Sequence, residues 1–385
     1  MSTIYNSKNN YGKKNSNSSK GNVKNDNVKK KLNKKKVFLA LFFFLSIFIY
    51  LFYRNNYNDF SKENIIKPIN IIRPSIADTY KYNEYLKAIS EIDKNHSNSS
   101  YIIVRGDNLN ILAAKEPEKK VYPASITKLT TDIIASMVFK DNLNDVIEIT
   151  KEDKNIPEGY IATALKPGDK ITIANLLKSS LIMSANDSTK TLKRLIDEKL
   201  KSKNVEFSEN ESIYTCLFKI LNITNTNYTN PYGLFDENHY TTATDQIIIA
   251  IFGNKYTNIE DITKISDCNI PYISSNGEKK SFKIHSTNLF LNNNSPFYNP
   301  NVVGLKTGYT TESGYCLITK VYIQNIPYYI AVFNTKTNDE RFALTKELID
   351  ETNDFASNNI SNLPLSKVAI PAFLKLSNDF NRLFN

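Results

Sequence analysis

A chain of 385 residues, 41% hydrophobic and 23% charged, has the composition of a globular protein with one large core or two modest ones. Its net charge of +10 resides in residues 1–36, where eleven lysines face Asp26 alone. The remaining 349 residues are neutral on balance, so nucleic acid is not an expected partner. Three scattered cysteines (Cys216, Cys268, Cys316) and three scattered histidines (His96, His239, His285) match neither a disulfide framework nor metal-ligand spacing. The cysteines read as buried thiols, and no metal or other cofactor is expected.

Residues 1–36 are rich in Asn, Ser and Lys, and too poor in apolar residues to offset the entropy of ordering, so a disordered tail is expected. Residues 37–53 carry no charge and are apolar on every side, which reads as a short transmembrane helix. The lysines before it and the lone Arg54 after it place the N-terminus in the cytoplasm. No small-residue cleavage site follows, so a retained signal anchor in the cell membrane is expected, with the rest of the chain facing outward. Residues 54–75 read as a linker, 76–352 as the folded body and 353–385 as a C-terminal tail. Within that tail, Pro364 and Pro371 interrupt any amphipathic membrane-surface helix.

The body opens with a helical stretch through Tyr80 to Ile89. A hairpin follows, with strands 101–104 and 109–114 around the turn Gly106-Asp107-Asn108. A helix entered at Pro123 has Ile126, Leu129, Ile133, Ile134, Met137 and Val138 on its apolar side. After the turn at 166–169, helical patterns cover 171–183, 189–200 and 244–252, with a loop at 230–233. Strands are expected at 302–309, 315–322 and 328–334, and a closing helix at 339–350. Strands at both chain ends therefore pair in one sheet, with an all-helical insertion between them.

Three constellations carry chemistry. Pro123-Ala124-Ser125-Ile126-Thr127-Lys128-Leu129 holds the one Ser-x-x-Lys of the chain. On a helix this spacing stacks the Ser125 hydroxyl and the Lys128 amine one turn apart, in the first turn, where free N–H groups favour a developing anion. A serine beside an amine base is a candidate acyl-transfer nucleophile. The second constellation is Ser184-Ala185-Asn186, at the end of an apolar helix, where a polar loop can face Ser125. The third is Lys306-Thr307-Gly308, on a strand with Gly304 before it. A glycine in a strand marks close approach of another backbone or a ligand, and a peptide can add to the edge of such a strand.

Taken together, these motifs resemble the low-molecular-weight D-alanyl-D-alanine carboxypeptidases, which are penicillin-binding serine DD-peptidases. The likeness extends to Tyr122, to Leu181-Ile182-Met183 before Ser184, and to Asn230-Pro231-Tyr232-Gly233-Leu234. It continues through His239-Tyr240-Thr241-Thr242-Ala243-Thr244-Asp245 and Gly304 to Thr310, followed by Gly314-Tyr315-Cys316-Leu317. It covers about residues 98–352. The resemblance implies an α/β (α+β) fold of the β-lactamase/transpeptidase-like type, with an antiparallel sheet flanked by helices. It implies that Ser125 attacks the penultimate D-alanine of peptidoglycan stem peptides ending in D-Ala-D-Ala, and that β-lactams inhibit the enzyme.

Lys128 would be the base, its pKa lowered by burial and by Lys306. Ser184 would relay a proton to the leaving amine, and Asn186 would fix Lys128 and the substrate amide. The N–H groups of Ser125 and Tyr309 would form the oxyanion hole. Lys306 and Thr307, with Gly308 in the same motif, would hold the terminal carboxylate, assisted by Arg341. His239 reads as structural, because Lys128 already supplies a base. Tyr232 and Val303 depart mildly from the family pattern. A class A-like serine β-lactamase is the alternative enzyme, but the chain contains no Glu-x-x-Leu-Asn. A non-hydrolytic β-lactam sensor or wall-binding module is the alternative from another class.

Overall fold

The computed structural model describes residues 76–356 apart from 210, with side chains from Tyr82 onward. The tail, membrane span and linker expected over 1–75, and the segment beyond 356, lie outside the described residues. Among the described residues, no helix is long and apolar enough to cross a membrane.

In chain order the elements are helix α1 (Ile76–Asn95), strands β1 (Ser100–Arg105) and β2 (Ile111–Lys115), a 3-10 turn (Ala124–Ile126) and helix α2 (Thr127–Val138). Next come β3 (Val146–Glu148), β4 (Lys170–Thr172), α3 (Ile173–Ile182), α4 (Asn186–Ser202), α5 (Ile213–Leu221), α6 (Ala243–Tyr256) and the short α7 (Ile259–Thr263). The hairpin β5 (Asp267–Ile273) and β6 (Lys279–His285) precedes a second 3-10 turn (Leu289–Leu291). The chain then forms β7 (Val302–Thr310), β8 (Gly314–Ile323), β9 (Ile326–Thr335) and α8 (Asn338–Ala356).

Five antiparallel strands make the main sheet in the order β2-β1-β9-β8-β7. β1 pairs with β9, so the two ends of the domain meet in the sheet as the strand pattern predicts. Both faces are buried, and side chains alternate between two cores. Tyr101 and Ile103 of β1 join Tyr328, Ile330 and Val332 of β9 against α1 and α8. Ile102 and Val104 join Tyr329, Ala331 and Phe333 against the central helices. β7 lies at the sheet edge.

The insertion between β2 and β7 is not all-helical. It contains a second antiparallel sheet, in the order β3-β4-β5-β6. Its hairpin strands are largely solvent-facing: Ile270 and Ile284 alone are buried, and Lys279, Lys280 and Lys283 are charged. Such strands lack the apolar stripe by which strands are recognised. Their turn signal was present, since Gly277 follows Asn276 and adopts φ +89°. The helix expected from 171 begins at Ile173, because Thr172 ends β4 and accepts the Asn175 N–H as an N-cap. α5 also escapes the sequence pattern, although Ser212 and Thr215 form a capping box at its start. Of the three cysteines, only Cys316 is buried; Cys216 and Cys268 are half-buried. α8 continues to Ala356, past the expected end of the body.

α8 is fastened by Phe342, which is fully buried with its ring 5.4 Å from that of Phe290 and 5.6 Å from that of Phe297. Phe342→Ala is expected to lower stability by about 3–5 kcal/mol, read from the denaturant midpoint at unchanged m-value. A loss below about 1 kcal/mol would show that α8 is not held there.

Candidate active site

The Ser125 turn is tighter than a regular helix start. Ser125 occupies the 3-10 turn that runs directly into α2, and Ala124 before it has φ +46°. A side-chain-bearing residue pays a steric penalty in that left-handed region, so neighbours must hold it. Thr127 Oγ1 donates to the Ala124 carbonyl at 2.9 Å. His239 Nδ1 accepts the Thr229 N–H at 3.0 Å, so Nε2 bears the proton and donates to Thr127 Oγ1 at 2.8 Å. Burial lowers the His239 pKa to about 4 against the opposing charge of Asp236, and the ring stacks on Tyr228. His239 thus braces the turn without contacting Ser125.

Two glycines let other segments close on this turn. Gly233 has φ +87°, and a Cβ there would sit 1.8 Å from the Ala124 carbonyl oxygen. At Gly308 a Cβ would lie 2.8 Å from the Pro123 oxygen. The glycine of the Lys-Thr-Gly motif therefore brings β7 against Ser125. Gly304 serves a different contact, packing on Thr263 of α7.

Lys128 is fully buried on α2, and its Nζ lies 2.7 Å from Ser125 Oγ. Nζ also donates to the Tyr232 carbonyl at 3.0 Å. Burial, and then the charge of Lys306, hold its pKa well below 10.5, while Asp132 opposes them. Lys306 of β7 is buried too, and its Nζ donates to Ser184 Oγ at 3.0 Å and to the Thr307 carbonyl at 2.9 Å. Its pKa falls to about 7 through burial, with Asp132 opposing and Arg341 adding. Ser184 bridges α3 and α4 with φ +67°. Thr307 Oγ1 lies 2.5 Å from Thr287 Oγ1.

One site residue differs from expectation. The Asn186 carboxamide donates to the Ile161 carbonyl at 2.9 Å and makes no hydrogen bond to Lys128 among the described residues. Ser125 and the Tyr232 carbonyl already fill the space around that amine. Arg341 projects from α8 into the interior. It is 5% exposed, donating from Nη1 to the Gly308 and Cys316 carbonyls and from Nη2 to Asn338 Oδ1. Burial lowers its pKa to about 10.

Asp132 was not foreseen. It follows Lys128 by four residues on α2, a helical i,i+4 spacing that was open to reading. It is fully buried, accepts from Ser180 Oγ at 2.6 Å, and leaves Oδ1 unpartnered. Burial raises its pKa to about 8, against the Ser180 hydrogen bond and the two lysines. The loop between β3 and β4 was also missed as a site element. Asp187 fastens it, accepting from Lys154 Nζ at 2.5 Å and from the Thr163 N–H and hydroxyl.

Ser125, Ser184, Asn186, Thr307, Gly308, Tyr309 and Arg341 all line one cavity of about 500 Å³. Lys128 and Lys306 lie beneath its floor. Tyr160, Ile161, Tyr232 and Phe235 complete the wall. The arrangement couples a half-buried serine to a dry amine, with a second amine and a guanidinium across the cleft. The family model described as D-alanyl-D-alanine carboxypeptidase matches residues 87–337. The chain belongs to the D-alanyl-D-alanine carboxypeptidase family.

Relatives within this family include DacF of Bacillus subtilis, 29% identical over 279 residues, covering 71% of this chain and 65% of DacF. DacA of Haemophilus influenzae is 27% identical, covering 59% of this chain and 54% of its own. The chain thus spans between about half and two thirds of the length of these family members. Among solved structures, a Streptomyces DD-transpeptidase superimposes with TM-score 0.57 at 17% identity, over 65% of this chain and 95% of that one. The carboxypeptidase DacD of Francisella tularensis gives TM-score 0.55 at 18% identity, over 66% and 69%. These structures share the mixed α/β fold with antiparallel sheets.

The dry amine has a consequence for stability. Unfolded lysine titrates near 10.5, above folded Lys128, so between the two values the unfolded chain binds more protons and stability rises with pH. Lys128→Met removes this penalty. Its stability gain over the wild type should be largest at low pH and shrink as pH rises towards 10.5. Asp132 has the opposite slope, since its raised pKa gives stability that is lost as pH rises. With Lys128 gone that pKa rises further, which also shrinks the gain of the variant with pH. Urea unfolding at about pH 6 and about pH 9 reads the difference, and a gain that grows with pH would contradict a neutral Lys128.

Proposed function

We propose that this chain is a serine-type D-Ala-D-Ala carboxypeptidase that removes the terminal D-alanine from peptidoglycan stem peptides and is acylated by penicillins. The observation that carries this reading is the buried Lys128 amine 2.7 Å from Ser125 Oγ, on the floor of the cleft. A neutral amine at that distance accepts the hydroxyl proton as Oγ attacks the penultimate D-alanine carbonyl. The Ser125 and Tyr309 N–H groups are the assigned oxyanion donors. As the tetrahedral intermediate collapses, the C–N bond breaks, and Ser184, hydrogen-bonded to Lys306, gives its proton to the departing amine. Ser184 is reprotonated with the proton that Lys128 took from Ser125, which returns Lys128 to the neutral amine. Water then attacks the acyl ester, Lys128 takes its proton, and Ser125 is regenerated.

Thr307 and Arg341 are assigned to the free C-terminal carboxylate, with Lys306 supplying positive potential from below. Asn186 is assigned to the substrate amide rather than to Lys128, because its carboxamide faces the cleft beside Ile161. We also propose that residues 37–53 anchor the chain in the cell membrane, with the catalytic body outside it, where the wall polymer lies.

The full-length chain is to be incubated with a fluorescent penicillin. Ser125→Ala should abolish covalent labelling, and Lys128→Ala should slow it by about 10²–10⁴-fold. Persistent labelling of Ser125→Ala would refute the nucleophile. Release of D-alanine from diacetyl-Lys-D-Ala-D-Ala tests the activity itself. Penicillin hydrolysis without D-alanine release would identify a β-lactamase, and stable labelling with neither activity would identify a sensor.

A further inference from the structure

A second cavity, of about 720 Å³, opens beside the catalytic one. It runs along one end of the main sheet, where β2, β1, β9, β8 and β7 all terminate. The pairs Tyr101–Lys115, Tyr315–Thr335 and Thr310–Gly314 set these strand ends in a row. The two cavities share Tyr309 and Thr311 at the tip of the β7–β8 hairpin. There Tyr309 is half exposed, and its ring stacks on Tyr315 at 4.2 Å. An extended chain that adds to the edge of β7 and continues past Thr310 enters this groove.

The groove is polar, and its charge is one-sided. Lys115, Lys119 and Lys336 line it against Glu116 alone. Lys115 is held in place, donating to the Asp93 and His96 carbonyls at 2.9 and 2.8 Å. Lys119 pairs with Glu116 at 2.6 Å, which neutralises the one carboxylate. Lys336 is exposed, and its amine has no ion pair among the described residues. Lys115 also lies 4.0 Å from the Asp93 carboxylate, so the Lys336 charge is the one that remains uncompensated in the groove. Asn98 and Thr335 supply hydrogen-bonding groups.

We infer that this sheet-end groove is an extended subsite for an acidic peptide segment, receiving free carboxylates on the N-terminal side of the scissile bond. The inference rests on the carboxypeptidase reading above. The substrate then lies across the hairpin tip, with its C-terminal carboxylate near Arg341 and an internal carboxylate near Lys336, where the Lys119–Glu116 pair adds no net charge. Selection for acidic stem peptides comes from the groove, and the bond-breaking groups are indifferent to it.

The full-length chain is to be assayed for D-alanine release from three peptides. These are neutral diacetyl-Lys-D-Ala-D-Ala, the pentapeptide Ala-γ-D-Glu-Lys-D-Ala-D-Ala, and that pentapeptide with its free carboxylate amidated. The wild type should show a lower KM for the acidic pentapeptide than for its amide, and about 0.5 M salt should erase most of the difference. Lys336→Glu and the double variant Lys119→Gln/Lys336→Gln should raise KM for the acidic pentapeptide about fivefold with kcat unchanged. Both should leave the other two peptides unaffected. Equal KM values for acid and amide in the wild type, or variants that shift all three peptides alike, would overturn the subsite. Absence of D-alanine release from every peptide would instead overturn the carboxypeptidase reading.

Discussion

The desolvation of one amine governs the site. Lys128 projects from a helix whose twelve residues are all buried, so its ammonium form would sit in low dielectric without a full set of partners. Burial therefore favours the neutral form of the amine, the form that the proposed role as base requires. Lys306 adds repulsion from the facing strand, and Asp132 counters it from the next turn of α2. Two amines and one carboxyl thus share a dry compartment, and each sets the proton affinity of the others. His239 stands outside this group and braces the turn that carries Ser125.

Holding that amine against Ser125 requires several elements to meet at van der Waals distance. The 3-10 turn supplies the serine and α2 the lysine, the Asn230–Gly233 loop supplies the Tyr232 carbonyl, and β7 supplies Lys306. Gly233 and Gly308 make the approach possible, since a single methyl group at either would collide with the backbone of residues 123–124. Arg341 then ties β7 and β8 to α8 through the Gly308 and Cys316 carbonyls. The guanidinium therefore has a packing role as well as a charge that faces the cleft. Removing it would disturb strand position as well as electrostatics.

How much of this was legible in the chain depends on the range over which each signal acts. Ser125 with Lys128, and the alternating strands β1, β8 and β9, are encoded by local periodicity and spacing, and they stand where the pattern puts them. The pairing of Lys306 with Ser184 spans 122 residues and rests on the joint presence of two motifs, which only the family resemblance tied together. The β5–β6 hairpin was missed because its side chains mostly face water and show no buried stripe. Asp132 was missed for a different reason: a single acid on an apolar helix face is unremarked until the fold shows what lies opposite. The partner of Asn186 could not be read at all, because Ile161 offers a backbone carbonyl, and carbonyls leave no trace in residue type.

That last contact changes how the cleft is understood. Asn186 binds Ile161 through both its backbone N–H and its side chain, while the adjacent Asp187 binds Thr163 and Lys154. Asp153, paired with Arg194 by two hydrogen bonds of 2.9 Å, fixes the start of the same loop. One face of α4 thus clamps the loop from both ends, and Tyr160 and Ile161 are presented to the cleft from a rigid base. The wall opposite β7 is therefore set by buried carboxylates together with contacts inside the loop, such as Lys154 Nζ donating to the Thr163 carbonyl at 2.9 Å. For the proposed substrate strand along β7 this is a preformed partner surface, which lowers the ordering entropy that would oppose binding.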